Sequence, residues 1–76
     1  MTETLSYPAE LVDTVDGVTI SFPDFPGVQA WGADEAEALR NGAEALQTAL
    51  WHAINDGMIP PEPSEAHERP MISVMI

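Results

Sequence analysis

The sequence lacks cysteine entirely and has only two basic side chains among its 76 residues. Without cysteine, neither disulfides nor thiolate metal sites can form, which fits a reducing compartment. Against the two basic residues stand 13 acidic ones, so the net charge is −11 at pH 7. Nucleic-acid affinity depends on Lys and Arg neutralising phosphates, and a general electrostatic attraction to RNA or DNA is therefore excluded. A basic protein partner is the natural complement of this charge.

Long apolar runs are also missing. The acidic start Met1-Thr2-Glu3-Thr4 has neither the basic residues nor the apolar core of a signal peptide. No stretch approaches the ~20 apolar residues that a membrane helix needs. We therefore expect a cytoplasmic single domain over residues 1–76 that has no membrane contact. A core this small predicts a homodimer, a higher homo-oligomer or a partner that supplements it.

Alternating side chains predict three strands joined by short turns. Residues Thr4 to Leu11 alternate as a half-buried strand. Pro8 within it is expected at an edge, a bulge or a position that needs no N–H donor. The run Asp13–Gly17 has hairpin-turn chemistry, and Val18–Phe22 alternates again. A short strand over Val28–Trp31 completes a predicted antiparallel meander.

One long helix is predicted after the meander. Asp34, with Glu37 three residues later, is typical of a capping box. Asn55-Asp56-Gly57 ends the helix after about 20 residues, with Gly57 in the left-handed position. Gly42 leaves little bulk inside the helix, so we expect the helix to pack closely on its own sheet. One apolar stripe repeats at intervals of three and four residues: Ala36, Leu39, Ala43, Leu46, Leu50 and Ala53.

The chain then leaves the helix through prolines and closes with a strand. Pro60–Ser64 is an extended, polyproline-like segment. Met71–Ile76 is apolar on both faces apart from Ser73, as expected of a strand that is buried on both sides or covered by a partner. The predicted fold class is α+β, in the order β-β-β-α-β.

Catalytic signatures are absent. His52 and His67 are the only histidines, and neither has a second histidine at a metal-ligand spacing. There is no nucleophile elbow, P-loop or dinucleotide fingerprint. The carboxylates that could hold a divalent ion lie mostly in turns or at the helix start, where acidic residues have structural roles. We predict no enzyme, no cofactor and no metal, and keep a residual metal-dependent nuclease only as an alternative.

The two tryptophans each have two interpretations. Trp51 has Glu44, Thr48 and Asn55 as helical neighbours, which places it on the polar face of the helix. It is either buried against the terminal strand or a loop, or exposed as an interface anchor, since tryptophan is enriched in binding hot spots. Trp31, at the end of the third strand, has the same two interpretations.

Separated motifs resemble one known family. The block Ser21-Phe22-Pro23-Asp24-Phe25-Pro26-Gly27 is preceded by Tyr7-Pro8-Ala9. It is followed by Ala45-Leu46 in the helix and by Ile59-Pro60-Pro61-Glu62-Pro63-Ser64. Each piece alone is weak, but together they resemble the HicB antitoxin family over about residues 5–64.

The resemblance implies a partial ribonuclease-H-like fold without nuclease activity. Such proteins bind and neutralise HicA, a small mRNA endoribonuclease. Family antitoxins usually also carry a C-terminal DNA-binding domain, but only Glu65–Ile76 follow the proline segment here, so we expect none in this chain. Arg40 is expected to pair with Glu37 and Glu44, and Arg69 lies beside Glu68. We therefore expect no direct nucleic-acid binding.

The leading hypothesis is an antitoxin that occludes the active site of a basic HicA-like endoribonuclease. The alternative is an orphan HicB-like oligomeric scaffold, or a repressor component whose DNA-binding part lies elsewhere. Acidic and aromatic side chains outside the expected core are the candidates for contact with the partner: Asp24, Phe25, Trp31, Glu37, Glu44 and Trp51.

Overall fold

A computed structural model describes residues 4–65 and 67–75. Three strands, β2, β3 and β4, form an antiparallel meander, and β1 pairs antiparallel with β5. The predicted α+β class, meander, long helix and terminal strand are confirmed, although Ile76 of that strand lies outside the described residues. The elements in chain order are β1 (Thr4–Pro8), β2 (Glu10–Thr14), β3 (Gly17–Ser21), β4 (Gln29–Gly32), α1 (Glu35–Asn55) and β5 (Met71–Met75).

The first predicted strand differs from the structure in one respect, because it is divided at Ala9. Its two parts pair with different neighbours, β1 with β5 and β2 with β3. The Ala9 N–H donates to the Pro70 carbonyl at 2.9 Å. The backbone nitrogens of successive strand residues point to opposite edges, so the Pro8 nitrogen points away from β5. Its missing N–H therefore costs no hydrogen bond in the ladder with β5.

The helix begins and ends as the sequence predicts. Asp34 Oδ1 accepts the Glu37 N–H at 2.8 Å, and Glu37 Oε1 accepts the Ala33 N–H at 3.0 Å. Gly57 follows the helix with φ of +80°, the left-handed conformation that glycine tolerates best. Within the described part of the chain, no helix is both long and apolar enough to cross a membrane.

The buried stripe of α1 is rotated relative to the prediction. Leu46 and Leu50 are buried as expected, but Ala36 is exposed. Ala38 and Gly42 take its place on the sheet side, so the buried positions repeat every four residues. Gly42 lies in the centre of this face, because a Cβ there would be only 2.8 Å from Ile20 Cδ1 and Cγ2. The predicted close packing of the helix on its own sheet is confirmed.

One hydrophobic core joins both sheets to the helix. Strand β5 contributes Ile72 and Val74 to it, while Met71 and Met75 are 42% and 55% exposed. The structure thus shows burial of one face of this strand, and burial of both faces within the chain is wrong. The buried members of the core are Tyr7, Ala9, Ile20, Phe22, Leu46, Leu50, Ile72 and Val74.

The arginine pairing differs from the prediction. Among the described residues, Arg69 Nη2 lies 2.9 Å from Glu10 Oε1, and Arg40 forms no ion pair. The expected pairing of Arg40 with Glu37 and Glu44 is wrong: the Glu37 carboxylate accepts the Ala33 N–H, and the exposed Glu44 forms no ion pair among the described residues. Helix spacing alone does not hold a long exposed side chain in one ion pair.

Candidate partner-binding groove

The six candidate residues fall in three separate places. Glu44 and Trp51 line one open groove. Asp24 and Phe25 lie in the loop after β3. Trp31 and Glu37 lie near the start of α1. The structure therefore brings Glu44 and Trp51 together and leaves the other four outside the groove.

The groove lies between one side of α1 and strand β5. Its volume is about 460 Å³. The helix contributes side chains at spacings of three and four residues, which project from the same side of a helix. Strand β5 contributes Ser73 from across the groove. The lining residues are Ala43, Glu44, Gln47, Thr48, Trp51 and Ser73.

Trp51 is fixed in position but remains half exposed. Its Nε1–H donates to the Met75 carbonyl oxygen at 3.1 Å, and 53% of the residue is accessible. Complete burial, one of the two interpretations of this residue, is not observed. An indole that is held by its N–H and still presents apolar surface has the properties of an interface anchor.

Gln47 closes the end of β5 against the helix. Its Oε1 accepts the Met75 N–H at 2.8 Å, and its Nε2 donates to the Met75 carbonyl oxygen. The carboxamide thus takes the place that a neighbouring strand would occupy at this residue. Nothing in the sequence near Gln47 signals this contact, because its partner lies 28 residues away.

Glu44 supplies negative charge to the groove. It is exposed, it lies two helical turns before Trp51, and it forms no ion pair among the described residues. Two turns correspond to roughly 10 Å along a helix, a distance that an extended Lys or Arg side chain can largely span. A carboxylate and an aromatic face together favour a cationic ligand group.

Asp24 and Phe25 hold the proline segment against the core. Asp24 Oδ2 accepts the Ser64 N–H at 3.0 Å, and Oδ1 accepts the Ser64 hydroxyl. The Tyr7 hydroxyl donates to the Pro61 carbonyl at 2.7 Å, and the Phe25 ring meets the Tyr7 ring edge to face at 4.9 Å. Burial raises the pKa of the Tyr7 hydroxyl, and the nearby Asp24 carboxylate raises it further. The two motif blocks of the sequence therefore meet in one structural contact.

We expect Asp24→Ala to lower the free energy of unfolding by about 1–2 kcal/mol, because the Ser64 N–H and hydroxyl lose their acceptor. Urea unfolding followed by circular dichroism measures the loss. Glu62→Ala removes an exposed carboxylate from the same segment and should change stability little. Equal losses in the two variants would mean that the Asp24 contact does not stabilise the fold.

Trp31 and Glu37 serve the start of the helix. The Trp31 carbonyl accepts a hydrogen bond from Asn41 Nδ2 at 2.8 Å, and the indole is 47% exposed on β4. The Glu37 carboxylate accepts the N–H of Ala33, one residue before the N-cap Asp34, so it has a role at the start of the helix. Neither residue lines the groove.

The sequence matches a known protein family over most of its length. The family model of the HicB-like antitoxin of bacterial toxin–antitoxin systems matches residues 6–76. The chain therefore belongs to the HicB-like antitoxin family, and it is an antitoxin rather than an enzyme.

Two solved structures have a similar fold. A chain of the HicA3 and HicB3 toxin–antitoxin complex is 26% identical, with a TM-score of 0.70, over 93% of this chain and 94% of that one. The N-terminal domain of the Burkholderia pseudomallei antitoxin HicB shares the fold, with 21% identity and a TM-score of 0.69 over 95% of each chain. No curated protein sequence matches this chain.

Proposed function

We propose that this chain neutralises a basic HicA-like mRNA endoribonuclease by binding it and covering its active site. The observation that carries the proposal is the groove that both Glu44 and the half-exposed Trp51 line. Membership of the antitoxin family and the likeness to a chain of a HicA3–HicB3 complex support a toxin of this kind as the partner. The proposed compartment is the cytoplasm, where mRNA is available to such a toxin.

Electrostatics favours this pairing. A protein that cleaves RNA presents basic side chains to the phosphates of its substrate. A chain with a net charge of −11 is attracted to such a surface and competes with RNA for it. Inhibition then follows from steric and electrostatic occlusion, and it requires no chemistry by the antitoxin.

We expect the association rate with the toxin to fall several-fold from low to high salt, because salt screens the attraction between opposite net charges. Stopped-flow fluorescence of Trp51 and Trp31 measures this rate. Glu44→Gln should slow association more than Glu62→Gln, an exposed carboxylate outside the groove. A rate that is independent of salt would contradict electrostatic steering.

The scaffold alternative and the oligomeric state are tested together. Co-expression with a small basic HicA-like protein, followed by affinity purification, should yield a complex of the two proteins. Recovery of this chain only with copies of itself would favour the oligomeric scaffold. The exposed side chains of Met71 and Met75 lie on the outward face of β5, as distinct from its backbone edge, and they support a homo-oligomer through that face. Exchange of both for serine leaves the core residues Ile72 and Val74 in place and should then abolish self-association.

We further propose that the chain does not bind operator DNA by itself. It has two Lys or Arg residues against 13 acidic ones, and one of the two, Arg69, pairs with Glu10. Too few cations are available to release counterions from a phosphate track. A sequence-specific mobility shift at low salt by the isolated chain would favour the repressor alternative.

A further inference from the structure

The outer edge of β5 has backbone groups that point away from β1. In a strand, the N–H and C=O groups of alternate residues point to the same edge. The N–H and C=O groups of Met75 bind the Gln47 carboxamide, so they point away from β1. Those of Ser73 and Met71, two and four residues earlier, point the same way. Pro8 lies opposite Met71 and has no N–H to donate, which agrees with this assignment.

This edge is open at two residues. The ladder with β1 uses the intervening residues Ile72 and Val74. Within residues that the structure describes, the outward N–H groups of Ser73 and Met71 have no backbone or side-chain acceptor. At Met75 the edge is closed by Gln47. Exposed edges of this kind are ready templates for another strand.

The open edge borders the groove. Ser73 is the residue of β5 that lines it, opposite the helix residues Glu44 and Trp51. A strand added at Ser73 would lie along the groove, with alternate side chains directed to one face. Because the Gln47 carboxamide occupies the position beside Met75, an added strand would pair at Ser73 and Met71 and end there.

We propose that an extended segment of the basic toxin adds to β5 as a further strand and places a Lys or Arg side chain between Glu44 and Trp51. The inference rests on the proposed function and names the surface through which it acts. Main-chain hydrogen bonds supply affinity in strand addition, and the side-chain pocket supplies specificity. The cation would contact the indole face and the carboxylate at once.

The negative charge of this chain favours a basic partner over a second copy of the same chain at this edge. Two copies would bring −11 against −11, with a Glu44 in each groove. Like charges that face each other across paired strands destabilise the pairing. The chain has only Arg40 and Arg69 to offer as cations, and Arg69 already pairs with Glu10.

The test compares Ser73→Pro with Ser73→Ala. Both variants lose the 2.9 Å contact between the Ser6 and Ser73 hydroxyls, but only proline removes the outward N–H. An edge strand tolerates proline where its nitrogen faces solvent. Against the HicA-like toxin that co-purifies with the wild-type chain, we expect Ser73→Ala to bind within about threefold of wild type and Ser73→Pro at least about tenfold more weakly.

Amide hydrogen exchange of the wild-type complex gives a second readout that does not depend on the proline variant folding. The Ser73 and Met71 amides should be protected on toxin binding, and the Glu62 amide should not be. If the wild-type chain captures no toxin, the proposed function fails. If the toxin binds but both amides exchange as in the free chain, or Ser73→Pro binds as Ser73→Ala does, strand addition is overturned and the antitoxin function stands. Protection of these amides by self-association alone would assign the edge to a second copy and overturn the proposal.

Discussion

Replacing Gly32 with alanine is expected to lower the free energy of unfolding by about 3 kcal/mol or more, at the upper end of what overpacking costs. A Cβ at Gly32 would lie 2.7 Å from the Cα of Ala38, and it would also collide with the Ala38 nitrogen. Both are backbone atoms of α1, so relief requires the whole helix to move away from β4. The fall in melting temperature should be roughly 12–24 °C for a domain of this size.

Gly57→Ala is the control for the Gly32 variant. Nothing lies within 4 Å of a Cβ at Gly57, but its φ of +80° is unfavourable for alanine. That strain costs roughly 1–2 kcal/mol without any collision. Thermal unfolding of the two variants separates close packing from backbone conformation. A Gly32→Ala protein as stable as Gly57→Ala would show that α1 does not approach β4 as closely as described.

Trp51→Ala is expected to have the largest effect on partner binding, with a Kd at least about 30-fold higher, because an anchoring tryptophan contributes about 2 kcal/mol or more. The fold should survive, since the residue is 53% exposed. Trp31→Ala is the matched control, because Trp31 is 47% exposed but lies outside the groove. Its Kd should stay within about threefold of wild type. Isothermal titration calorimetry with the HicA-like toxin measures both.

Trp51→Phe distinguishes the ring from the hydrogen bond. It keeps an aromatic face but loses the N–H that donates to Met75. We expect it to retain more affinity than Trp51→Ala, because the proposed cation contacts the ring. A larger loss with Trp31→Ala than with Trp51→Ala would instead place the interface at β4.

Local signals in the sequence predicted most of the elements. The Asp34 N-cap and the Gly57 helix end depend on neighbouring residues only, and both are confirmed, although Glu37 accepts the Ala33 N–H rather than that of Asp34. The division of the first strand at Ala9 could not be predicted in this way, because it depends on Pro70, far along the chain. Alternation identifies the faces of a strand, but it does not identify which strand pairs with it.

The candidate site was predictable only where it depends on residues that are close together in the sequence. Glu44 and Trp51 lie seven residues apart on one helix, so their shared face follows from helical spacing. The contact of Gln47 with Met75 spans 28 residues, and that of Asp24 with Ser64 spans 40. Such contacts are set by the fold as a whole. The motif resemblance contained both Asp24 and Ser64, but it did not reveal that they bind each other.

RNA cleavage by the purified HicA-like toxin, titrated with this chain, tests the central claim most directly. Cleavage should fall in proportion to the chain added and reach zero at a fixed molar ratio, because each bound antitoxin covers one active site. Trp51→Ala should shift the titration to higher concentration, and Trp31→Ala should leave it unchanged. Full cleavage by a toxin that is saturated with this chain would contradict neutralisation by occlusion.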